Sequence, residues 1–137
     1  MNPIDILAIH EVLARAVSGL DQRNVALMEP CFTVDATFEL EIKGAEAIPP
    51  FVGRNAIMKL MSDSMNAHSE DRRHVVSNIY FESESAESAN VVSSLVAFQA
   101  ENGKIGVMTS GLYRDQLRKV DGRWQIARRH LALDVPF

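Results

Sequence analysis

The sequence predicts an α+β fold in which about three N-terminal helices cover the concave face of a curved, mostly antiparallel sheet. Three observations lead to this class. Apolar residues recur at helical spacing up to residue 65, and residues 72–135 are dominated by extended-chain patterns. Asn102-Gly103 and Asp121-Gly122 are dipeptides that strongly favour tight β-hairpins. Helices that precede the strands, instead of alternating with them, segregate to one side of an antiparallel sheet.

Length and composition indicate one ordinary globular domain spanning residues 1–137. Hydrophobic residues make up 47% of the chain and charged residues 23%, which excludes disorder. The net charge is −4 and the basic residues form no cluster in the sequence, so we expect no nucleic-acid partner. No apolar run of about 18 residues exists, so we expect no membrane association. Cys31 is the sole cysteine, which excludes an internal disulfide and favours a buried thiol in a cytoplasmic protein.

The first predicted element is a helix that begins after Asn2. Asn2 can cap it, Pro3 suits its first position, and Asp5 lies where its side chain can reach back to the cap. One apolar stripe runs along this helix: Ile6, Ile9, Leu13, Val17 and Leu20. Asp21 then falls where the helix gives way to a loop, next to whatever the stripe covers.

Four further elements precede the long strands. Asn24 is a second N-cap, and Pro30 keeps the helix that follows it short. Alternation over residues 36–42 predicts a half-buried strand, the Gly- and Pro-containing stretch 44–50 predicts a loop, and residues 54–65 return to helical period.

The stretch Arg72–Tyr80 is predicted to be a strand with an imidazole on an apolar face. Alternation places His74, Val76, Asn78 and Tyr80 on the same side. The two hairpin dipeptides then divide the rest into strands at about residues 89–100, 105–120 and 123–135. In the last strand Ile126 and Leu131 have opposite parity, so a β-bulge is required if both are core residues. Whether Arg128 or Arg129 faces inward stays open at this level.

Helices over a concave sheet leave a cone with an apolar floor, and the few polar groups that face into it must find partners or substrate. His74 is the candidate general base, and Asp21 is the carboxylate nominated to orient it. An arginine of the last strand would offset negative charge on the substrate. The candidate substrate contacts are Asn78, Tyr113, Val17 and Phe38. No Cys, His or acidic residue has metal-ligand spacing to His74 and Asp21, so we predict no metal site.

Six stretches together resemble the SnoaL-like branch of the nuclear transport factor 2-like superfamily over nearly the whole chain. They are Gly-Leu-Asp-Gln-Arg-Asn, Phe-Thr-Val-Asp-Ala-Thr-Phe, Gly-Arg-Asn-Ala-Ile, Arg-His-Val-Val-Ser-Asn-Ile, Gly-Leu-Tyr-Arg-Asp and Asp-Gly-Arg-Trp-Gln-Ile-Ala-Arg-Arg. This resemblance implies a cystatin-like α+β cone with a deep apolar pocket, commonly assembled as a dimer or a higher homo-oligomer.

Within that superfamily the pattern is most similar to the group around scytalone dehydratase and hexachlorocyclohexane dehydrochlorinase. Those lyases use a histidine base paired with an aspartate, and the resemblance assigns these roles to His74 and Asp21. It also assigns the dehydrochlorinase's arginine to Arg129. Val17 stands where dehydratases of the group have a tyrosine, so a proton donor for a leaving hydroxyl is missing, whereas a halide or a stabilised carbanion needs none.

The sequence therefore predicts a lyase or isomerase without metal or organic cofactor, acting on a small apolar cyclic molecule. The alternative is a non-catalytic ligand-binding or accessory subunit like the small subunit of ring-hydroxylating dioxygenases, which shares the fold.

Overall fold

A computed structural model describes all residues from 1 to 137. The helices are α1 (Pro3–Asp21), α2 (Val25–Met28) and α3 (Arg54–Ala67), with a short 3-10 turn at Glu29–Cys31 after α2. The strands are β1 (Phe32–Ile42), β2 (Phe51–Val52), β3 (Asp71–Glu84), β4 (Ser88–Glu101), β5 (Lys104–Val120) and β6 (Arg123–Leu133). The predicted α+β class is confirmed, with β1 beginning at Phe32 instead of Ala36 and β3 at Asp71 instead of Arg72.

The strands form one sheet in the order β2-β1-β6-β5-β4-β3. Every neighbouring pair is antiparallel except β1 and β6, which run parallel. The predicted hairpins are confirmed: Asn102 and Gly103 have φ of 53° and 74°, and Asp121 and Gly122 have φ of 51° and 78°. Two successive positive φ values define the turn whose twist matches that of the flanking strands. The loops therefore set the register of β4, β5 and β6.

The helices pack on one face of this curved sheet, α1 against β3 and β6, and α3 against β1. The core between them includes Ile9 and Leu13 of α1, Ile57 of α3, and Leu117 and Ile126 of the sheet, all fully buried. None of the helices has the length and apolar character needed to span a membrane.

The N-terminus of α1 differs from the prediction in one contact. Asn2 caps the helix as expected, since its Oδ1 accepts from the Asp5 backbone N–H at 2.9 Å. The Asp5 side chain does not return to the cap. Its Oδ1 accepts from Trp124 Nε1 at 2.8 Å and from Lys119 Nζ at 3.2 Å. A buried indole N–H needs an acceptor, and that need outweighs a second capping bond at an exposed helix end.

The end of α1 is fixed by a close approach to α2. A β-carbon at Gly19 would lie 2.7 Å from Met28 Cβ and 2.9 Å from the Met28 backbone nitrogen, so only glycine fits there. The backbone N–H of Asn24 donates to the Gly19 carbonyl at 2.8 Å and closes the turn between the helices. This contact places Asp21, the last residue of α1, at a defined point over the sheet.

Two β-bulges decide which side chains face the helices. In β6 the pairing shifts between Ile126, opposite Leu117, and Arg128, opposite Gln116, so Ala127 is the extra residue. The predicted bulge is thus present. A second bulge in β3 was not predicted: Asn78 has φ of 53° and the pairing with β4 shifts between Ser77 and Tyr80.

The β3 bulge corrects the predicted alternation. After Asn78 the side chains that face inward are those of Ile79 and Phe81, which pack against the core. Tyr80 is exposed. Asn78 and Tyr80 therefore do not share the face of His74 and Val76. Asn is one of the few residues that tolerates positive φ, which suits it to this position.

Candidate active site

A cavity of about 120 Å³ lies between the helices and the sheet. Most of its lining is apolar. The residues lining it are Ala16, Val17, Leu20, Asp21, Met28, Phe32, Phe38, Leu40, Leu60, Met61, Ser64, His68, Arg72, His74, Tyr113, Arg129, Leu131, Leu133 and Phe137. A mostly apolar lining with a few polar groups is typical of small-molecule sites.

Asp21 and His74 form a close pair in the cavity wall. Asp21 Oδ1 lies 2.6 Å from His74 Nδ1, and Asp21 Oδ2 accepts from the His74 backbone N–H at 2.7 Å. The two side chains are 5% and 13% exposed. Because one carboxylate holds both the backbone and the ring of His74, the imidazole has little freedom to turn.

This arrangement determines what the imidazole can do. An ionised carboxylate only accepts hydrogen bonds, so the proton of a neutral His74 ring belongs on Nδ1. Nε2 then carries the free lone pair. A carboxylate on Nδ1 also stabilises the cation formed when Nε2 takes a proton. The pair therefore has the arrangement of an oriented general base.

A second buried pair includes Arg129, which also lines the cavity. Arg129 Nε and Nη2 donate to the two oxygens of Asp115 at 2.8 and 3.0 Å, and the side chains are 3% and 0% exposed. The bulge at Ala127 turns Arg129 inward. Arg128 points away from the cavity, 58% exposed, and donates to Glu39. The question of which arginine faces the cavity is thereby answered.

Tyr113 lies beside both pairs. The Arg129 guanidinium carbon is 4.0 Å from the centre of the Tyr113 ring, a cation–π contact. Burial raises the pKa of the Tyr113 phenol to about 12, with the charges of Asp115 and Asp21 acting in the same direction. Burial alone would lower the pKa of Arg129, but the Asp115 carboxylate beside it raises that pKa above its ordinary value. Tyr113 is therefore a neutral phenol and Arg129 a permanent cation.

The structure brings most of the sequence-predicted site residues together. Asp21, His74, Arg129, Tyr113, Val17 and Phe38 all line the cavity. Asn78 does not. It is exposed on the bulge of β3, so its prediction as a substrate contact is wrong, because the bulge reverses the alternation on which that prediction relied.

The sequence analysis missed Asp115, which fixes Arg129. The sequence contained a signal, since Asp115 has the same parity on β5 as Tyr113 and Leu117. The structure shows all three residues buried. The sequence analysis also missed His68, which precedes the predicted strand, and Arg72, which has the same parity as His74 in that strand. Cys31 is buried as predicted, and burial raises the pKa of its thiol. Nowhere do three His, Cys, Asp or Glu side chains converge as metal ligands do.

Solved structures with the same fold include proteins of different kinds. A protein of unknown function from Mycobacterium tuberculosis is 28% identical, with a TM-score of 0.81 over 97% of this chain and 78% of that chain. A candidate scytalone dehydratase from Novosphingobium aromaticivorans is 24% identical, with a TM-score of 0.78 over 95% of this chain and 84% of the other.

The β subunit of a candidate aromatic-ring-hydroxylating dioxygenase, also from Novosphingobium aromaticivorans, is 17% identical, with a TM-score of 0.80 over 96% of this chain and 90% of the other. At these two lower identities the likeness shows the fold alone. No curated protein sequence matches this chain. The model of the SnoaL-like domain matches residues 4–130, nearly the whole length, and the chain belongs to the SnoaL-like domain family.

Proposed function

We propose that the protein is a cofactor-independent lyase or isomerase that removes a proton from carbon in a small, largely apolar cyclic molecule. The observation that supports this most is the contact of Asp21 with both the ring and the backbone of His74 in the wall of an apolar cavity. A carboxylate that fixes the ring of a cavity-wall histidine is the arrangement found in histidine general bases.

In this proposal His74 Nε2 takes the proton from carbon, and Asp21 holds the ring in place and stabilises the resulting imidazolium. The electron pair of the broken C–H bond then expels a leaving group or is delocalised over the substrate. In an isomerisation, the imidazolium returns the proton to a different carbon.

Arg129 has a narrower role than the sequence suggested. Asp115 occupies its Nε and one N–H of Nη2 and neutralises its charge. Guanidinium carries five N–H donors, so Arg129 can still donate to substrate through those that Asp115 leaves unused. We propose that it contributes a fixed hydrogen-bond donor rather than an uncompensated positive charge.

The wall near Asp21 favours some reactions over others. Val17 provides no proton donor, and the neutral phenol of Tyr113, with its pKa of about 12, is only a weak acid. Loss of halide, or isomerisation through a stabilised carbanion, needs no strong acid, whereas loss of hydroxide does. The first two reactions are therefore favoured over dehydration.

The test is a panel of cyclic C–H acids, including a ring ketone and a chlorinated cyclohexane, assayed for deuterium exchange and elimination. We expect His74→Gln to lower the rate on any accepted compound by about 100-fold or more. His130→Gln is the matched control, because His130 lies near Glu41, away from the cavity lining. A His74→Gln rate within a few-fold of the unsubstituted protein would refute the proposal.

A ligand-binding or accessory subunit remains the second candidate. Such a protein needs the cavity but not the oriented imidazole. It is favoured if the panel compounds bind and the unsubstituted protein accelerates neither exchange nor elimination relative to His74→Gln.

We further propose that this single domain of residues 1–137 is cytoplasmic and assembles as a homodimer or higher homo-oligomer. The outer sheet face, opposite the cavity, carries the exposed apolar side chains Val75, Ile105 and Val107, which suit contact with another subunit. The mass in solution, measured by light scattering, tests the assembly, and a monomer at micromolar concentration would refute it.

A further inference from the structure

Two nitrogen atoms of the cavity residues have no hydrogen-bond partner. They are His68 Nδ1 and Arg72 Nε, both covered from solvent. Their residues line the same cavity as His74. Buried polar groups in proteins are nearly always paired, and those that are not call for an explanation such as an absent ligand. The only other unpaired buried side-chain atom is Ser93 Oγ, which does not belong to the cavity lining.

These two side chains belong to a segment that is held in place. Arg72 Nη2 donates to Glu70 Oε1 at 2.9 Å, which fixes the guanidinium and leaves Nε outside the ion pair. Arg23 Nη2 donates to the backbone carbonyls of His68 and Glu70 at 3.1 and 3.2 Å, and its Nε donates to that of Met65 at 3.4 Å. The segment from His68 to Arg72 is therefore held in place by Arg23 and Glu70, and its polar atoms are preorganised for a ligand.

The chemistry of the two atoms selects their partner. Arginine Nε can only donate, whereas histidine Nδ1 donates or accepts according to its tautomer. A keto oxygen accepts from both when Nδ1 carries the proton. An enolic or phenolic hydroxyl accepts from Arg72 and donates to His68. A hydrocarbon or a carbon-bound halogen satisfies neither atom.

We propose that His68 and Arg72 form an oxygen-binding subsite, and that the substrate is a ring compound bearing a keto, enolic or phenolic oxygen. This inference rests on the proposed function, since it names the substrate class of the same cavity. When His74 removes a proton from the carbon beside a keto group, the C–H electron pair forms a C=C bond and the C=O π pair moves to oxygen. The proton resides on His74 Nε2, and the enolate oxygen accepts a hydrogen bond from Arg72 Nε.

Phe137 lies against the Arg72 side of the subsite. Its ring packs over the Arg72 guanidinium, with the guanidinium carbon 5.6 Å from the ring centre. The ring is itself part of the cavity lining and 63% of the residue is exposed. A ligand oxygen reaches Arg72 by displacing a ring that few other groups enclose.

The experiment compares two probes of the same shape, 2-naphthol and naphthalene, by calorimetric titration. We expect the unsubstituted protein to bind 2-naphthol about tenfold more tightly than naphthalene, the effect of one or two good hydrogen bonds. Arg72→Met and His68→Phe should each remove most of that preference, so that the two probes bind with similar affinity. Arg128→Met is the matched control and should preserve the preference, because Arg128 is paired with Glu39 away from the cavity.

Two conservative variants guard against effects on folding. His68→Asn keeps a nitrogen close to the position of Nδ1 and should retain the preference, while Arg72→Lys keeps the charge but loses the Nε donor and should weaken it. Equal affinity of the unsubstituted protein for the two probes, binding of neither, or an unchanged preference in Arg72→Met and His68→Phe would overturn the proposal. The assay measures no turnover, so its outcome is independent of whether His74→Gln abolishes catalysis.

Discussion

Asp21 lines the cavity and Asp115 does not, and these two aspartates hold their basic partners in different ways. Asp115 receives a two-point contact from Arg129, and both side chains are almost completely buried. Asp21 divides its oxygens between the ring and the backbone N–H of His74, and the imidazole is 13% exposed toward the cavity. Arginine stays charged at any ordinary pH, whereas histidine can change its protonation state.

The difference separates a structural pair from a reactive one. In the Asp115–Arg129 pair the charges are permanent, so its contribution is to pack the wall and to present fixed donors. In the Asp21–His74 pair only one ring nitrogen is occupied, so the other remains available for proton transfer. Substitutions in the first pair should therefore lower the free energy of unfolding, whereas substitutions in the second should lower the rate of catalysis.

The largest effect is expected from Asp115→Ala, which leaves the Arg129 charge buried without a partner. We expect the free energy of unfolding, measured by urea denaturation, to fall by about 3–5 kcal/mol. Replacing both members, Asp115→Leu with Arg129→Met, should recover most of that loss because no unpaired charge remains. A loss below about 1 kcal/mol in Asp115→Ala would show that the pair behaves like a surface ion pair.

Asp21→Asn should change the His74 tautomer. Asparagine offers one acceptor oxygen, and if the His74 backbone N–H takes it, the amide NH₂ faces Nδ1 and moves the ring proton to Nε2. Nitrogen-15 NMR of the imidazole reads this shift directly. We expect kcat/KM on any accepted substrate to fall by about 100-fold, with the fold retained. An unchanged tautomer together with unchanged activity would contradict the role given to Asp21.

Tyr113 lies between the two pairs, and ionisation of its buried phenol destabilises the fold at alkaline pH. Its pKa in the folded protein is raised from 10.0 to about 12, so its contribution to stability is complete below pH 10 and is lost as the pH rises toward 12. Between pH 10 and 12 the free energy of unfolding should therefore fall by about 1–2 kcal/mol less in Tyr113→Phe than in the unsubstituted protein. Parallel pH dependences of the two proteins between pH 10 and 12 would refute this.

The smallest effect is expected from Arg128→Ala, the neighbour of Arg129 with the same chemistry and the opposite orientation. Its side chain is 58% exposed and its partner Glu39 is 35% exposed. We expect a change of no more than about 0.5 kcal/mol in the free energy of unfolding. A loss comparable to that of Asp115→Ala would mean that burial does not distinguish the two arginines.

The fold could be predicted from the sequence because the turn dipeptides and the alternation of inward and outward side chains are local patterns. The hairpin dipeptides define three long strands, and the conflict between Ile126 and Leu131 required the bulge that is found at Ala127. The same reasoning was available in β3. Val76 and Ile79 are both apolar and have opposite parity, which signals the bulge at Asn78, but the prediction continued the alternation through it.

The site was only partly readable because its contacts join distant parts of the chain. Asp21 and His74 could be nominated, but their separation in space depends on how α1 docks on β3. Asp5 shows the limit more clearly. Its carboxylate accepts hydrogen bonds from Trp124 and Lys119, and these contacts, the Trp124 bond most of all, hold its pKa below the ordinary 3.8. No local pattern connects residues so far apart in the chain.

The parallel pairing of β1 with β6 has a consequence for biosynthesis. The ribosome makes β1 before β3, β4, β5 and β6, and apart from the two-residue strand β2, β6 is the only strand that pairs with β1. The edge of β1 that pairs with β6 therefore remains open until β3, β4 and β5 have been made, which makes this strand a natural target for chaperones. A translational pause before residue 123 would prolong that exposure, and a circular permutation that places β6 next to β1 would shorten it.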